Sequence, residues 1–474
     1  MPDPADSVPA AAPVSHLSWR EKIGYGVGGS TMFFGTNTVK TLAIPFFQMT
    51  LNVNPALLGL AMAVPRLWDA FTDPVMGYLS DTTRSRWGRR RPYIFIGALL
   101  SCLSYIAIWF VPLGWTPNAQ VGWYLVTSLV FFTALTMWLV PYTSLGYEMT
   151  PDYDERTSVM GISSIATQIS QFAGPWIFPL AQLAIFTSVV QGLRVITVVI
   201  GFVFIAGVGI LPALLAKERY ASLEQQQASS GPKPNIWKTF RQAFRNRNMA
   251  LLMGLQLAGA ISSIFASGLD FYVIVYYMFD GDLTTGATWK AILSTGFAVC
   301  GFISVPLLIK ASRRFDKCAT LQGVYVLNMI GAVATWFVFN PSHPWLILLN
   351  PMLCTHVYTA GLLKQSMVAD ICDEDELATG HRHEGSYGAL FAWVHKTAMS
   401  LSFLAAGVVL NMVGFDSTLG GNQAAGVTTN IRLVLVAVPF LSSAVSLLLL
   451  SRYNLNRQRA TEIRAALEAR RGQL

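Results

Sequence analysis

Three charged residues lie close together inside one long apolar segment, "PRLWDAFTDPVMGYLSD". They are Arg66, Asp69 and Asp73, spaced three and four residues apart. On a helix this spacing places all three side chains on one face. Two carboxylates one turn apart repel each other unless a cation lies between them. The segment therefore offers oxygen ligands for Na+ or a relay for a proton, with Arg66 as an alternative ion-pair partner.

A static role for the same residues is the competing interpretation. Arg66 and the two carboxylates could form a buried salt bridge that joins helices without binding an ion. Buried charge is an inefficient way to stabilise a bundle, because the desolvation cost can exceed the Coulombic gain. We therefore favour a Na+ site at Asp69 and Asp73, to which Thr72 can add a hydroxyl ligand.

A lone lysine, Lys396, lies well inside a second apolar segment, "FAWVHKTAMS". A cation that faces the two carboxylates could occupy them when Na+ is absent, which would couple ion binding to transport. The alternative is snorkelling of the long side chain to the membrane interface. Lys40 and Asp270 are further charged candidates, and snorkelling or a local ion pair is an equal alternative for each.

The composition places these charges in a membrane. The chain has 474 residues, of which 53% are apolar and 12% are charged, whereas soluble domains carry about 25% charged residues. Spanning helices need about 20 mostly apolar residues. We predict twelve of them, near residues 23–49, 56–80, 93–113, 121–148, 158–186, 194–216, 249–278, 290–311, 319–339, 344–367, 385–415 and 430–450.

The distribution of Lys and Arg predicts the orientation. With both termini cytoplasmic, 26 of the 33 basic residues fall on the cytoplasmic side and only 3 on the other side. This excess is the positive-inside pattern. The net charge of +8 therefore sets the topology and does not indicate a nucleic-acid partner. We expect a multi-pass protein of the inner (plasma) membrane with the lipid bilayer as its surroundings.

The longest basic loop divides the chain into two halves. We expect a disordered tail at 1–19, a six-helix bundle at 20–216, a cytoplasmic linker with an amphipathic helix at 217–248, a second bundle at 249–450 and a cytoplasmic tail at 451–474. Two six-helix halves joined by such a loop form the major facilitator layout, in which substrate binds between the halves. The predicted fold is thus an all-α, monomeric membrane protein of that architecture.

Charged residues at the ends of the segments are candidates for a gate. The stretch "GYLSDTTRSRWGRRRPY" is either purely topogenic or a cytoplasmic latch whose salt bridges form when the transporter faces outward. The acidic loop "ADICDEDELATGHRHEGSY" lacks the HExxH spacing of a zinc site, so we assign it a gate or ion-pair role. The gate candidates are Asp81, Arg86, Arg89, Arg90, Glu148, Arg156, Asp370 and Asp373.

Several motifs resemble the glycoside-pentoside-hexuronide:cation symporter family, which includes melibiose permease. They are "RLWDAFTDPVMG", "RSRWGRRRP", "VPYTSLGYEMTPDYDERT" and "ADICDEDELATGHRHEG" followed by Lys396, and the resemblance covers residues 20–450. It implies a symporter coupled to Na+ or H+ that works by alternating access, rather than an enzyme. Carried over, the family's cation site falls on Asp69, Thr72, Asp73 and Thr136, and its helix-11 lysine on Lys396.

The substrate side of the resemblance is weaker. The positions that bind galactosides in the family correspond here to Phe33, Leu139, Ser164 and Thr143, and Trp138 adjoins them. Two carboxylates are thus replaced by Phe33 and Leu139, and each sugar hydroxyl left unpaired costs about 1–3 kcal/mol.

The same family includes sodium-dependent lysophosphatidylcholine symporters, whose helix 2 is similar to "WDAFTDP". We favour an amphiphile such as a lysophospholipid, with Lys396 or Arg66 at its phosphate. A glycoside is the alternative. An uncoupled uniporter is a more distant one, because it would not need the aspartate pair.

Overall fold

A computed structural model describes residues 17–150, 153–218, 246–379, 384–416, 419–424 and 426–471. Regular structure in these ranges is helical. The first half comprises α1 (Trp19–Gly26), α2 (Gly28–Ala43), α3 (Pro55–Thr82), α4 (Arg91–Trp109), α5 (Pro117–Glu148), α6 (Tyr153–Ala173), α7 (Ile177–Ala181), α8 (Val189–Ile200) and α9 (Gly209–Leu215). π-Helical turns extend α2 and join α8 to α9, over Ile44–Thr50 and Gly201–Val208, and the 3-10 turn Gly174–Trp176 joins α6 to α7.

The second half repeats this pattern. It comprises α10 (Arg247–Tyr272), α11 (Leu283–Phe315), α12 (Lys317–Val338), α13 (Leu349–Thr359), α14 (Gly361–Thr379), α15 (Glu384–Met412) and α16 (Val427–Ser451), followed by α17 (Arg457–Arg471). The π-helical turn Val273–Met278 extends α10, and the 3-10 turn Pro344–Leu348 leads into α13. Each of the twelve predicted segments therefore coincides with a helix or a run of joined helices.

Nine helical segments within the described ranges are long and apolar enough to cross a membrane. Helix α3 falls outside this set because Arg66, Asp69 and Asp73 interrupt its apolar sequence. The helix that carries the candidate site is thus one that apolar composition alone does not identify as a membrane span. Such charges persist in membrane helices where they have a function.

Capping residues fix where the helices begin. The side chain of Asn54 accepts a hydrogen bond from the backbone N–H of Ala56, and Pro55 occupies the first position of α3. Thr116 caps α5 in the same way and is followed by Pro117. Polar caps and an initial proline are typical of helix starts. They set the register in which Thr136 of α5 lies within hydrogen-bond distance of Asp73 of α3.

The largest boundary error is at the end of the tenth predicted segment. The tenth segment, predicted to end near residue 367, continues as α14 to Thr379, so that Asp370 and Asp373 lie on a helix and not in a loop. The sequence from Gly361 to Thr379 contains neither proline nor an internal glycine, so no residue in it breaks the helix. Hydropathy shows only where the apolar sequence ends, and this helix continues beyond that point.

The segment predicted as a C-terminal tail at 451–474 contains a helix, α17, that packs against the second half. Ile463 and Leu467 of α17 are only 2% and 4% exposed and join the core of the second half. Arg457 donates hydrogen bonds to the carbonyls of Ser312 and Arg313 at 2.6 and 2.7 Å. Helix α17 is therefore held against the end of α11. Residues 1–16 of the tail predicted at 1–19, and residues 219–245 of the linker predicted at 217–248, lie outside the described residues. Ser18 caps α1 and Trp19 begins it, so the helix starts inside the predicted tail.

The two halves meet at one face of the molecule. We call the side where α1 begins and α16 ends the termini-bearing face, and the side where α3, α5 and α11 begin the opposite face. At the opposite face Tyr272 donates a hydrogen bond to Gln48, and Asn411 donates one to Asn54 at 3.1 Å. Trp176 similarly donates to Thr295 at 3.1 Å.

Close helix crossing tightens the same contact. A methyl group at Gly407 of α15 would lie 2.4 Å from the carbonyl oxygen of Pro55, and one at Gly59 of α3 would lie 2.6 Å from that of Phe403. Only glycine permits the backbones of α3 and α15 to approach this closely. The halves are thus sealed together at the opposite face.

Candidate cation and substrate site

Asp73 of α3 joins the two halves of the molecule. Its Oδ1 accepts a hydrogen bond from the Thr136 hydroxyl of α5 at 3.1 Å, and its Oδ2 binds the ammonium of Lys396 on α15. The ion pair links residues 323 positions apart in the sequence. The long side chain of Lys396 therefore reaches a carboxylate in this structure, in contrast to the snorkelling alternative.

Asp69 lies one turn earlier on α3 and is 7% exposed. Its Oδ2 is 3.6 Å from a guanidinium nitrogen of Arg66, while its Oδ1 is buried and accepts no hydrogen bond from a described residue. Buried oxygens of this kind usually have a partner. The charge of Asp69 also interacts with those of Asp73 and Lys396, so the four groups form one electrostatic cluster.

Arg66 is held on its other sides by neutral groups. One nitrogen donates to the carbonyl of Thr36 on α2 at 2.7 Å, and the guanidinium lies 4.3 Å from the ring centre of Phe132 on α5. A static salt bridge with Arg66, the alternative to an ion site, therefore involves only Asp69. Asp73, the second carboxylate on that helix face, pairs with Lys396 of the other half.

The donor set fits a small hard cation. Carboxylate oxygens of Asp69 and Asp73 and the hydroxyl of Thr136 are the ligand types that such ions prefer. The side chains of Asp73 and Lys396 are 31% and 37% exposed, so an ion can reach them. The hydroxyl of Thr72 instead donates to the Trp68 carbonyl of its own helix at 3.4 Å.

The predicted substrate positions are distributed over several environments. Phe33 and Leu139 are half-buried against the core of the first half. Thr143 donates its hydroxyl to the Val140 carbonyl at 3.0 Å, and Ser164 is exposed on α6. These four residues therefore form no single described cluster.

Trp138 has a packing role in place of the predicted contact with substrate. It is fully buried, its indole nitrogen donates to the Gly209 carbonyl at 2.8 Å, and its ring stacks on Tyr142 at 4.5 Å between centroids. These contacts join α5 to α9 inside the first half. A solute between the halves does not reach the ring in this conformation.

The gate candidates of the first half form ion pairs with each other. Arg89 and Arg90 both bind Glu148, Arg90 at 2.7 Å, and Arg90 also binds Asp81 at 3.0 Å. Glu218 accepts the backbone N–H groups of Arg89 and Arg90 at 2.9 and 2.8 Å. A carboxylate at a helix start is stabilising because it meets unpaired N–H groups and the positive end of the dipole.

The remaining gate candidates are less connected. Asp370 binds Lys317 at 2.5 Å, and Asp373 lies beside it in a groove lined by α17. Arg86 is exposed, and the side chain of Arg156 lies outside the described residues. Each ion pair between gate candidates of the described ranges joins residues of one half. The pairs of Arg89 and Arg90 join α3, α4 and α5, and the pair of Asp370 with Lys317 joins α12 and α14. A latch between the halves stays a prediction.

Two residues of the central region were missed by the sequence reasoning. Lys364 of α14 is 5% exposed, and His395 lies beside Lys396 with its Nδ1 2.7 Å from the amide nitrogen of Gln256. The sequence signal for Lys364 was its position as a charged residue inside the apolar segment predicted at 344–367. Sequence alone does not show what surrounds Lys364, because its neighbours, such as Gly259 of α10, lie on other helices.

Comparison with known proteins gives a consistent picture. The family model for "MFS/sugar transport protein" matches residues 24–457. The putative glycoside/cation symporter YagG of Escherichia coli is 24% identical, over 95% of each chain. The sodium-dependent lysophosphatidylcholine symporter 1 of Gallus gallus is 23% identical, over 95% of this chain and 89% of that protein.

A solved structure shows the same fold. A bacterial homolog to the human lysosomal transporter Spinster, in an inward-facing and unoccupied conformation, superposes with a TM-score of 0.68. The two chains are 14% identical, and the match covers 93% of this chain and 98% of that one. The family match over most of the chain and this shared fold show that the protein belongs to the MFS/sugar transport family and is a multi-pass membrane transporter of the major facilitator fold.

Proposed function

We propose that this transporter is a cation-coupled symporter whose coupling ion binds at Asp69, Asp73 and Thr136 in competition with Lys396. The observation that carries the proposal is the ion pair between Asp73 of one half and Lys396 of the other. A metal cation that takes the Asp73 oxygens displaces the ammonium and breaks the charged link between the halves. Ion occupancy is thereby tied to a change in the relation of the two halves.

Na+ is the coupling ion that the ligands favour. The unpartnered Oδ1 of Asp69 and the hydroxyl of Thr136 supply oxygen atoms beside Asp73, and Thr72 can join them if its hydroxyl turns from the Trp68 carbonyl. A proton is the alternative, because protonated Asp73 would also release Lys396. The relatives support a coupling ion, since YagG is named a glycoside/cation symporter and the Gallus gallus protein is named sodium-dependent.

For the solute, we favour an amphiphile such as a lysophospholipid, with a glycoside as the second candidate. The apolar side chains of Phe33 and Leu139 support the first choice, because they leave sugar hydroxyls without partners at those positions. The Gallus gallus relative, named a lysophosphatidylcholine symporter, supports the lysophospholipid, and YagG, named a putative glycoside/cation symporter, supports the glycoside.

The test is uptake into proteoliposomes by the purified transporter, with glycosides and lysophospholipids compared under a Na+ gradient and under a pH gradient. We expect wild type to accumulate one class above equilibrium with Na+, and Asp69→Asn and Asp73→Asn to lose that accumulation while remaining folded. Each substitution removes an ionic ligand and keeps the side-chain shape.

Asp282→Asn is the matched control. Asp282 caps α11 outside the candidate site, and asparagine caps helices about as well as aspartate. This variant should transport like wild type. Unchanged accumulation in both Asp69→Asn and Asp73→Asn would overturn the site assignment, and accumulation driven only by the pH gradient would replace Na+ with H+.

A further inference from the structure

Five arginines lie between the end of α3 and the first residue of α4, and they divide into two groups. Three of them bind carboxylates or carbonyls of the first half, and these are Arg89, Arg90 and Arg91. Arg84 and Arg86 are exposed, and neither forms an ion pair or a hydrogen bond with another residue of the described ranges. Two of the five charges therefore have no role in holding the first half together.

A hydrogen-bonded turn holds Arg86 beside an aromatic side chain. The Ser85 hydroxyl accepts a hydrogen bond from the backbone N–H of Trp87 at 3.1 Å, and the Ser85 carbonyl accepts one from that of Gly88 at 3.1 Å. Gly88 has a φ of +101°, a left-handed conformation that favours glycine. The carboxylate of Glu218 accepts the backbone N–H groups of the three residues that follow. The turn is thus fixed against the start of α4.

A groove of about 320 Å³ lies beside this turn. Its lining residues are Ser85, Arg86, Trp87, Pro92, Phe95 and Ile96. Trp87 is 51% exposed and meets the ring of Phe95 edge-on, with 5.7 Å between the ring centroids. Apart from Ser85 and Arg86, the walls are apolar or aromatic. The groove therefore combines an apolar surface with one guanidinium that lacks a described partner.

The groove continues into an apolar stripe along α4. Ile96 belongs to both, and the next exposed apolar residues on the same helix face are Leu99, Leu100 and Leu103, which are 41%, 46% and 62% exposed. Helix α4 is long and apolar enough to cross a membrane, and the turn lies just before its first residue, Arg91. Tryptophan and basic residues are typical of the membrane–water interface. The turn thus lies at the level of lipid headgroups, and the stripe at the depth of acyl chains.

We propose that this groove binds an anionic phospholipid from the leaflet on the termini-bearing side, with the phosphate at Arg86 and an acyl chain along the stripe of α4. A guanidinium is a suitable donor for phosphate oxygens. No described carboxylate offsets its charge, which favours an anionic headgroup over a zwitterionic one. A free phosphate ion would leave the apolar walls in contact with water, so the groove favours a lipid. This site shares no residue with the candidate cation site and is independent of the transported solute.

The experiment measures quenching of tryptophan fluorescence in the full-length transporter, reconstituted into phosphatidylcholine vesicles. A minor share of the lipid is brominated, either as phosphatidylglycerol or as phosphatidylcholine, and bromine quenches the tryptophans that it contacts. We expect the anionic lipid to be enriched about fivefold at the groove, so brominated phosphatidylglycerol should quench more strongly. Trp87→Phe should remove most of this excess because the reporter is lost, and Arg86→Gln should remove it because the charge is lost.

Arg459→Gln is the matched control. Arg459 is exposed on α17 at the same face of the molecule, where it pairs with Glu462 at 3.2 Å. The substitution removes the same charge outside the groove and should leave the excess quenching unchanged. The proposal is overturned if wild type shows no excess, or if the excess persists in Trp87→Phe or in Arg86→Gln. Loss of the excess in Arg459→Gln would also overturn it, because the whole basic face would then attract the lipid.

Discussion

At the scale of single residues, Lys396 can stand in for a bound ion. Its ammonium and a Na+ ion carry the same charge and seek the same oxygens of Asp73. The difference is that Lys396 is covalently attached to α15 of the second half, whereas the ion is free. In the proposed mechanism, Asp73 is bonded to the other half when Lys396 occupies it and released from that half when an ion does.

Lys396→Ala should separate ion binding from transport. We expect the variant to bind Na+ at least as tightly as wild type, because a competitor is lost, while accumulation of solute falls at least about tenfold. Na+ binding can be followed by the intrinsic fluorescence of the 13 tryptophans and accumulation by proteoliposome uptake. Lys290→Ala, which removes a lysine paired within the second half, should keep accumulation. Loss of Na+ binding in Lys396→Ala would mean that the lysine is a part of the ion site rather than its competitor.

Trp138→Phe tests the packing role of that residue. The substitution removes the hydrogen bond from the indole nitrogen to the Gly209 carbonyl, and such a bond contributes about 0.5–1.5 kcal/mol net. We expect a lower Tm and an unchanged KM for the transported solute. Trp115→Phe is the control, since Trp115 is 49% exposed and its Tm should change little. A KM raised about tenfold at constant Tm would instead indicate that Trp138 contacts the substrate, as the sequence predicted.

At the scale of elements, the sequence predicted positions along each helix better than contacts between helices. The spacing of Arg66, Asp69 and Asp73 correctly placed all three on α3, because helical periodicity is local. Which carboxylate pairs with which cation depends on the approach of α15, 323 residues away. No local pattern contains that information.

The same limit explains Lys364 and Trp138. Lys364 belongs to an apolar segment that was correctly predicted, but its lack of a carboxylate partner depends on the surfaces of α10 and α15. Trp138 lies next to a position implied by family resemblance, and its burial depends on the carbonyl of Gly209 at the start of α9. Burial and pairing are properties of the packed bundle rather than of the segment.

The close crossing of α3 and α15 predicts a sensitive glycine. Gly407→Ala adds a methyl group 2.4 Å from the Pro55 carbonyl, so the sealed opposite face can form only with a shift of the backbone. We expect this variant to favour conformations in which that face is open. A cysteine at Gln48, 2% exposed here, should then react with a maleimide about tenfold faster, in a background without the native cysteines.

Gly388→Ala on the same helix is the control for that measurement. A methyl group at Gly388 meets no atom within 4 Å, and alanine is a better helix former than glycine. Its labelling rate should equal that of the unmodified background. Equal rates for Gly407→Ala and Gly388→Ala would show that the crossing does not control the opposite face.

At the scale of the whole molecule, contacts within the first half differ in kind from those that join the halves at the opposite face. Within the first half, buried ion pairs and a capped helix start hold α3, α4 and α5 together. Between the halves, the opposite face is joined by neutral hydrogen bonds, each worth about 0.5–1.5 kcal/mol net. Breaking a few such bonds is feasible during each transport cycle. Such weak contacts support the proposed movement of the two halves around the central site.

This arrangement predicts that a link across the opposite face stops transport. Asn54 and Asn411 are exposed there, and their side chains are 3.1 Å apart. In a background without native cysteines, Asn54→Cys with Asn411→Cys should be joined by a short bifunctional methanethiosulfonate. We expect uptake to fall to background after crosslinking, because alternating access requires this face to open, and to return after reduction.

The control pair separates locking of the halves from chemical modification. Thr187 and Gln191 are exposed at the same face but lie in one half, with the Thr187 N–H 2.9 Å from the Gln191 side-chain oxygen. Cysteines at both positions should crosslink equally well and leave uptake unchanged, because the two ends move together. If the Asn54–Asn411 link forms and transport continues, the face can stay closed throughout the cycle. The halves would then not move as rigid bodies, and the Asp73–Lys396 exchange would have to act through local changes in α3 and α15.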